Sequence, residues 1–173
     1  MYPKVKKFKL CILTTGGTIE KIYNLSEGKM ENVGTNIKAY LKQTLKLPNT
    51  SVRVVEVMSK DSLDLVEKDR MIIVENIQEQ LHKTDAIIVL HGTDTMVTSA
   101  RYCKEKLSTK IPIVFTGAIT PLQMTQNDAS QNIIEALMAA KLLPQGIYIS
   151  FHNTIFDPDT TEKDKEKLTF VAV

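Results

Sequence analysis

Three short polar stretches contain residue types that could do chemistry: Thr14-Thr-Gly-Gly-Thr18, Asp61-Ser-Leu-Asp64 and His91-Gly-Thr-Asp-Thr95. A threonine hydroxyl in a bare glycine turn can serve as a nucleophile if a neighbouring base takes its proton and a pocket stabilises the oxyanion. The same turn can cradle a phosphate with backbone N–H groups. Each stretch also has a plain structural use. Thr15 and Thr18 suit a turn, while Ser62 with Asp64, and Thr93, Asp94 and Thr95, suit helix starts. Capping explains any one of these residues. It explains less well a carboxylate flanked by two threonines directly after His91-Gly92, since such a carboxylate needs partners and perturbed groups gather at functional sites. His91 reads as a structural hydrogen-bonding residue, Tyr23 as packing, and Lys163 as part of a solvated charge run; His82 and His152 carry no functional signal.

The elements that would position these stretches alternate along the chain. Nearly continuous apolar runs at Phe8–Thr14, Val52–Val57, Ala86–Leu90, Ile113–Phe115 and Gly146–Ser150 predict buried strands. Helical spacing is expected after an Asn36 cap (Ile37, Tyr40, Leu41, Leu45), over Leu65–His82, over Met96–Lys106 and over Ile133–Leu143. Residues 20–35 read as a long polar loop, and residues 157–169 as a charged loop or loose tail. The alternation predicts an α/β fold: a doubly wound, mostly parallel sheet with helices on both faces. In such sheets ligands bind beyond the carboxyl ends of the strands, where all three polar stretches fall.

At 173 residues with 43% hydrophobic content, one domain with a self-sufficient core is expected. A formal charge of +2 gives no reason to expect nucleic acid or a membrane as partner. The first apolar run is too short for a signal or a membrane span. Cys11 and Cys103 lack a C-x-x-C partner and join only three histidines, which is no zinc pattern. Free thiols without an export signal point to the cytoplasm. Two functional classes stay open on residues alone. One is a hydrolase or transferase with a threonine nucleophile. The other is a flavodoxin-like FMN-binding module, since Thr15-Gly-Gly-Thr18 loosely resembles part of that phosphate loop, although Leu13 stands where a hydroxyl is wanted. No G-x-G-x-x-G or Walker loop is present.

Taken together, Thr14-Thr-Gly-Gly-Thr-Ile19 and His91-Gly-Thr-Asp-Thr-Met96 resemble the two signature motifs of the bacterial-type L-asparaginase family, and Asp61-Ser-Leu-Asp-Leu65 resembles the segment between them. The resemblance runs from about Phe8 to Lys163 and corresponds to that family's larger N-terminal domain. It implies an L-asparaginase, an amidohydrolase releasing ammonia from L-asparagine through a threonine acyl-enzyme, with no metal or organic cofactor. A member with weak or lost activity is the variant of that reading. Thr15 falls on the primary nucleophile, and Thr93, Asp94 and Lys163 on a second catalytic group, with Lys165 as the fallback lysine. Tyr23 falls on the tyrosine of a mobile loop, so residues 20–35 become a lid. Ser62, or alternatively Ser59, would bind the substrate carboxylate and Asp94 its ammonium, with Asp61, Gly92 and Ala118 in the same pocket. Leu63 departs from the glutamine often found there. The implied organisation is a catalytic domain over 1–156 and a charged segment over 157–173 carrying the lysine. The usual C-terminal domain would be absent, and a homo-oligomer is expected.

Overall fold

The computed structural model describes residues 6–173; positions 1–5 of the expected catalytic domain lie outside the described residues. A sheet of β1 (Phe8–Gly16), β4 (Thr50–Lys60), β5 (Ala86–Leu90), β6 (Pro112–Thr116), β7 (Gly146–Phe151) and β8 (Thr154–Phe156) has the order β4-β1-β5-β6-β7-β8. Every neighbouring pair is parallel except β7 with the edge strand β8. The central strands β1, β5 and β6 are buried on both sides because both faces are covered. Leu10 and Ile12 pack with α1 (Ile37–Thr44) and α4 (Ala129–Leu142), whereas Cys11 and Leu13 pack with α2 (Glu67–Gln80) and α3 (Met96–Lys106). This is the expected doubly wound architecture.

The chain leaves β1 for β4 on one side and then crosses to β5 on the other. The direction therefore reverses at the carboxyl ends of β1 and β5, the crevice where open α/β sheets bind ligands.

Local chemistry moves several predicted boundaries. Asn36 precedes α1 without a side-chain cap, and the Thr35 hydroxyl accepts from the Ile37 N–H at 3.3 Å instead. Helix α2 starts at Glu67 rather than Leu65, because Ser62–Asp64 form a separate 3-10 turn and Asp69 reaches back to the Val66 N–H at 3.0 Å. Helix α4 starts four residues before Ile133, directly after Asp128.

Two segments read as irregular are hairpins. Within 20–35, β2 (Ile22–Asn24) pairs with β3 (Lys29–Glu31). The charged tail is corrected more strongly: β9 (Thr161–Asp164) pairs antiparallel with β10 (Thr169–Ala172). Its anchors are single buried residues, Thr161 and Phe170, within a charged run, so no apolar period announces them. Among the described residues no helix is long and apolar enough to cross a membrane.

Candidate active site

Three glycines let the strand-end loops stack on one another. A Cβ on Gly17 would lie 2.5 Å from the backbone of Gly92, one on Gly92 would lie 2.6 Å from Ser62 Oγ, and one on Gly117 would lie 2.2 Å from the His91 carbonyl oxygen. The loops after β1, β5 and β6 and the 3-10 turn at Ser62 are thus in close contact, which draws the three polar stretches into one site.

The capping explanation fails for the hydroxyls. Thr95 precedes α3 but makes no side-chain cap, and its hydroxyl donates to the Ser62 carbonyl at 2.7 Å. Ser62 Oγ is buried without a protein partner among the described residues. Thr15 is 1% exposed, and its hydroxyl donates across the sheet to the Leu90 carbonyl at 2.9 Å. For Thr15 to attack a substrate, that proton must first be redirected towards a base.

Two of the turn's N–H groups are already taken from a phosphate cradle. Such a cradle needs free backbone N–H groups. Here Gly17 N–H donates to the Lys60 carbonyl at 3.0 Å and Gly16 N–H donates to Glu20 Oε2 at 3.2 Å. Glu20 is 2% exposed. Burial raises its pKa to about 7, against the Gly16 N–H that pulls it down. The polar loop reading passes over this residue, although a carboxylate directly after Gly-Gly-Thr-Ile is its visible signal.

Beyond β5, Lys163 Nζ donates to Thr93 Oγ1 at 2.7 Å and to Asp94 Oδ1 at 2.7 Å. The Lys163 side chain is 14% exposed, and Thr93 is buried. Lys163, not Lys165, is the lysine brought to this pair. Its approach is set by α3, the helix that begins just after Asp94 and Thr95. Arg101 Nε donates to the Pro158 carbonyl at 2.7 Å and its Nη2 to the Thr161 carbonyl at 2.9 Å, while Lys104 pairs with Asp157 and Asp159. One helix thereby fixes both halves of the group. Arg101 left no trace in the sequence, because a helical arginine ordinarily faces solvent.

The remaining predicted residues are placed less directly. Asp61 accepts from Lys21 Nζ at 2.6 Å, a pairing that holds its carboxyl below the usual range, and it caps the Ser62 turn. Its charge is therefore already matched. Ala118 is buried beside Gly117 in the loop after β6. Ser59 accepts from the Gly34 N–H at 3.2 Å. Tyr23 is 48% exposed, and its hydroxyl lies over the hairpin's own turn, 3.9 Å from a Cβ on Gly28. Tyr23 therefore lies over the turn of its own hairpin. The hairpin is tethered through Lys21 to Asp61, through the Tyr23 N–H to Gln123 and through Gly34 to Ser59.

His91 uses only one ring nitrogen, its Nε2 being buried with no hydrogen-bond partner among the described residues. It is fully buried, its Nδ1 pairs with the Gly92 carbonyl at 2.8 Å, and desolvation lowers its pKa to about 4. Among the described residues no group of three or more His, Cys, Asp or Glu side chains comes together as a metal-ligand set.

Comparison with known proteins finds a family model and several relatives. A family model described as Asparaginase, N-terminal, matches residues 9–169. The L-asparaginase of Thermococcus kodakarensis is 28% identical over 148 residues, which is 85% of this chain and 45% of that protein. A glutamyl-tRNA(Gln) amidotransferase component of Methanococcus vannielii is 28% identical over 152 residues, 86% of this chain and 35% of the relative. The chain thus spans less than half the length of these relatives. The solved Thermococcus kodakarensis L-asparaginase superposes with a TM-score of 0.87 at 25% identity, covering 96% of this chain and 51% of that one. L-asparaginase I of Vibrio cholerae superposes with a TM-score of 0.82 at 23% identity, over the same shares.

Proposed function

The chain belongs to the asparaginase family, and from that premise we propose that it is an amidohydrolase that releases ammonia from L-asparagine through a Thr15 acyl-enzyme. The observation that carries the reading is the Lys163–Thr93–Asp94 group. A lysine 70 positions from Thr93, in a segment with no apolar period, donates at 2.7 Å to both neighbours.

In the first half-reaction the Thr15 hydroxyl turns from the Leu90 carbonyl and adds to the side-chain amide carbon, giving up its proton. The amide nitrogen gains a proton and leaves as ammonia, with an aspartyl ester on Thr15 as the product. In the second half a water adds to the ester carbon and gives its proton through Thr93 to Lys163 acting as the free amine, with Asp94 holding the lysine, and that proton passes on to the departing Thr15 oxygen. Thr15 regains its hydroxyl and aspartate departs. Ser62 Oγ, buried and free of protein partners among the described residues, suits the substrate carboxylate, and Asp94 its ammonium. Tyr23 assists the first step only if the β2–β3 hairpin swings its hydroxyl inward, as a lid would on closing. The chemistry calls for no cofactor.

The test is ammonia release from asparagine by the wild type and by Thr15→Ala. A loss of at least about a thousandfold in kcat is expected on removing a nucleophile, and full activity in Thr15→Ala would overturn the assignment. A second reading follows from the amidotransferase relative: the same chemistry supplying ammonia within a larger assembly. Hydrolysis by the isolated chain favours the first reading. Activity that appears only with a partner favours the second.

A further inference from the structure

Resting on that reading of Lys163, we propose that Thr169, His152 and Asp128 form a positioning relay that holds the β9–β10 hairpin where Lys163 reaches Thr93 and Asp94. His152 Nε2 meets Asp128 Oδ2 at 2.9 Å, and its Nδ1 meets Thr169 Oγ1 at 3.1 Å. With Nε2–H donating to the carboxylate, Nδ1 accepts from the Thr169 hydroxyl, a tautomer assigned from this network.

The relay is anchored at its far end. Asp128 also accepts from the Ile119 N–H, the Thr120 N–H and the Thr120 hydroxyl. Burial works against its charged form, yet these hydrogen bonds prevail and keep the carboxyl below its usual range. Asn132 accepts from the His152 N–H at 3.1 Å and donates to both Asp128 and the Gly117 carbonyl. The imidazole is aimed by its backbone: His152 and Asn153 have φ of 45° and 61°. They form the two-residue loop of the β7–β8 hairpin, where a primed turn places both residues at positive φ.

At the near end, Thr169 pairs with Asp164, and the next pair is Phe170 with Lys163. Phe170 is 3% exposed and meets Phe151 edge-on at 5.0 Å and Phe156 edge-on at 6.3 Å, so the strand opposite Lys163 is held by two aromatic contacts on Phe170 and by the Thr169 hydroxyl. A hairpin with four residues per strand is marginal by itself, and a lysine stem has much rotamer freedom to lose. Arg101 secures the entry to β9, and the relay secures the return through β10. Delivery of Nζ to two acceptors needs both.

The test compares Thr169→Val, Thr169→Ser and His152→Gln in the full chain. For Thr169→Val, kcat on asparagine should fall about ten- to a hundredfold, as an ångström of misplacement can cost, with KM within about twofold and the fold intact by circular dichroism. Thr169→Ser, which restores the hydroxyl, should recover most of kcat. A readout independent of turnover is the 15N signal of the Lys163 side-chain nitrogen, identified by its loss in Lys163→Met. It should shift or broaden in Thr169→Val and His152→Gln and stay unchanged in Thr169→Ser. Wild-type kcat together with an unchanged Lys163 signal in Thr169→Val overturns the relay. If the wild type hydrolyses no amide, the functional reading fails, and the Lys163 signal alone decides the relay.

Discussion

Gly92 is the residue on which the three polar stretches meet. A methyl group there would approach Ser62 Oγ to 2.6 Å and Ser62 Cβ to 2.7 Å, well inside contact distance, and Ser62 is 1% exposed with nowhere to retreat. Gly92→Ala should therefore cost about 1–3 kcal/mol of stability through overpacking. It should raise KM for asparagine more than it lowers kcat, since Ser62 is the residue displaced. Denaturant unfolding and steady-state kinetics on one preparation check both, and wild-type behaviour would mean the loops are not stacked as described. Thr15, Thr93, Asp94 and Ser62 were legible in the sequence because hydroxyls and carboxylates crowded three predicted strand ends. Glu20, Arg101 and His152 were not, because each owes its surroundings to the folded chain and not to its immediate neighbours.

At the level of elements, α3 is the least conspicuous and most consequential. Its first turn follows Thr93 and Asp94, and its outer side clasps the segment that leads to Lys163. Arg101→Leu strips hydrogen bonds from the Pro158 and Thr161 carbonyls, and leaving partly buried acceptors unmet costs about 1–3 kcal/mol. The variant should lose that stability and most of its activity. Lys104→Ala removes only exposed ion pairs with Asp157 and Asp159, worth at most about 1 kcal/mol, and should stay close to wild type. Equal losses in both would show that charge rather than carbonyl bonding holds the segment. The β9–β10 hairpin escaped the sequence reading because a pattern built on apolar alternation cannot see a strand pair anchored by Thr161, Phe170 and the body of the molecule.

Across the whole molecule, two buried groups oppose each other in pH. Glu20 has its pKa raised from 4.5 to about 7 by burial, so between those values the folded chain holds a proton that the unfolded chain has lost, and stability falls as pH rises. His91 has its pKa lowered from 6.5 to about 4, so in that range the unfolded chain holds the extra proton and stability rises with pH. Their windows overlap from about pH 4.5 to 6.5, where the two slopes offset; the aspartates with lowered pKa act below that range. Thermal melts should be nearly flat there in the wild type. In Glu20→Gln they should rise with pH, by on the order of 3 kcal/mol in stability; an unchanged profile would remove Glu20 from the account. The amino-acid sequence by itself determined the sheet, its two covered faces and the strand ends that bear the threonines, because strand burial and turn chemistry are local and periodic. Only the tertiary structure decided that Lys163 rather than Lys165 meets Thr93 and Asp94, that Glu20 takes up the Gly16 N–H, and that Tyr23 lies over the turn of its own hairpin. Each of those depends on how the folded chain packs, and no local propensity encodes it.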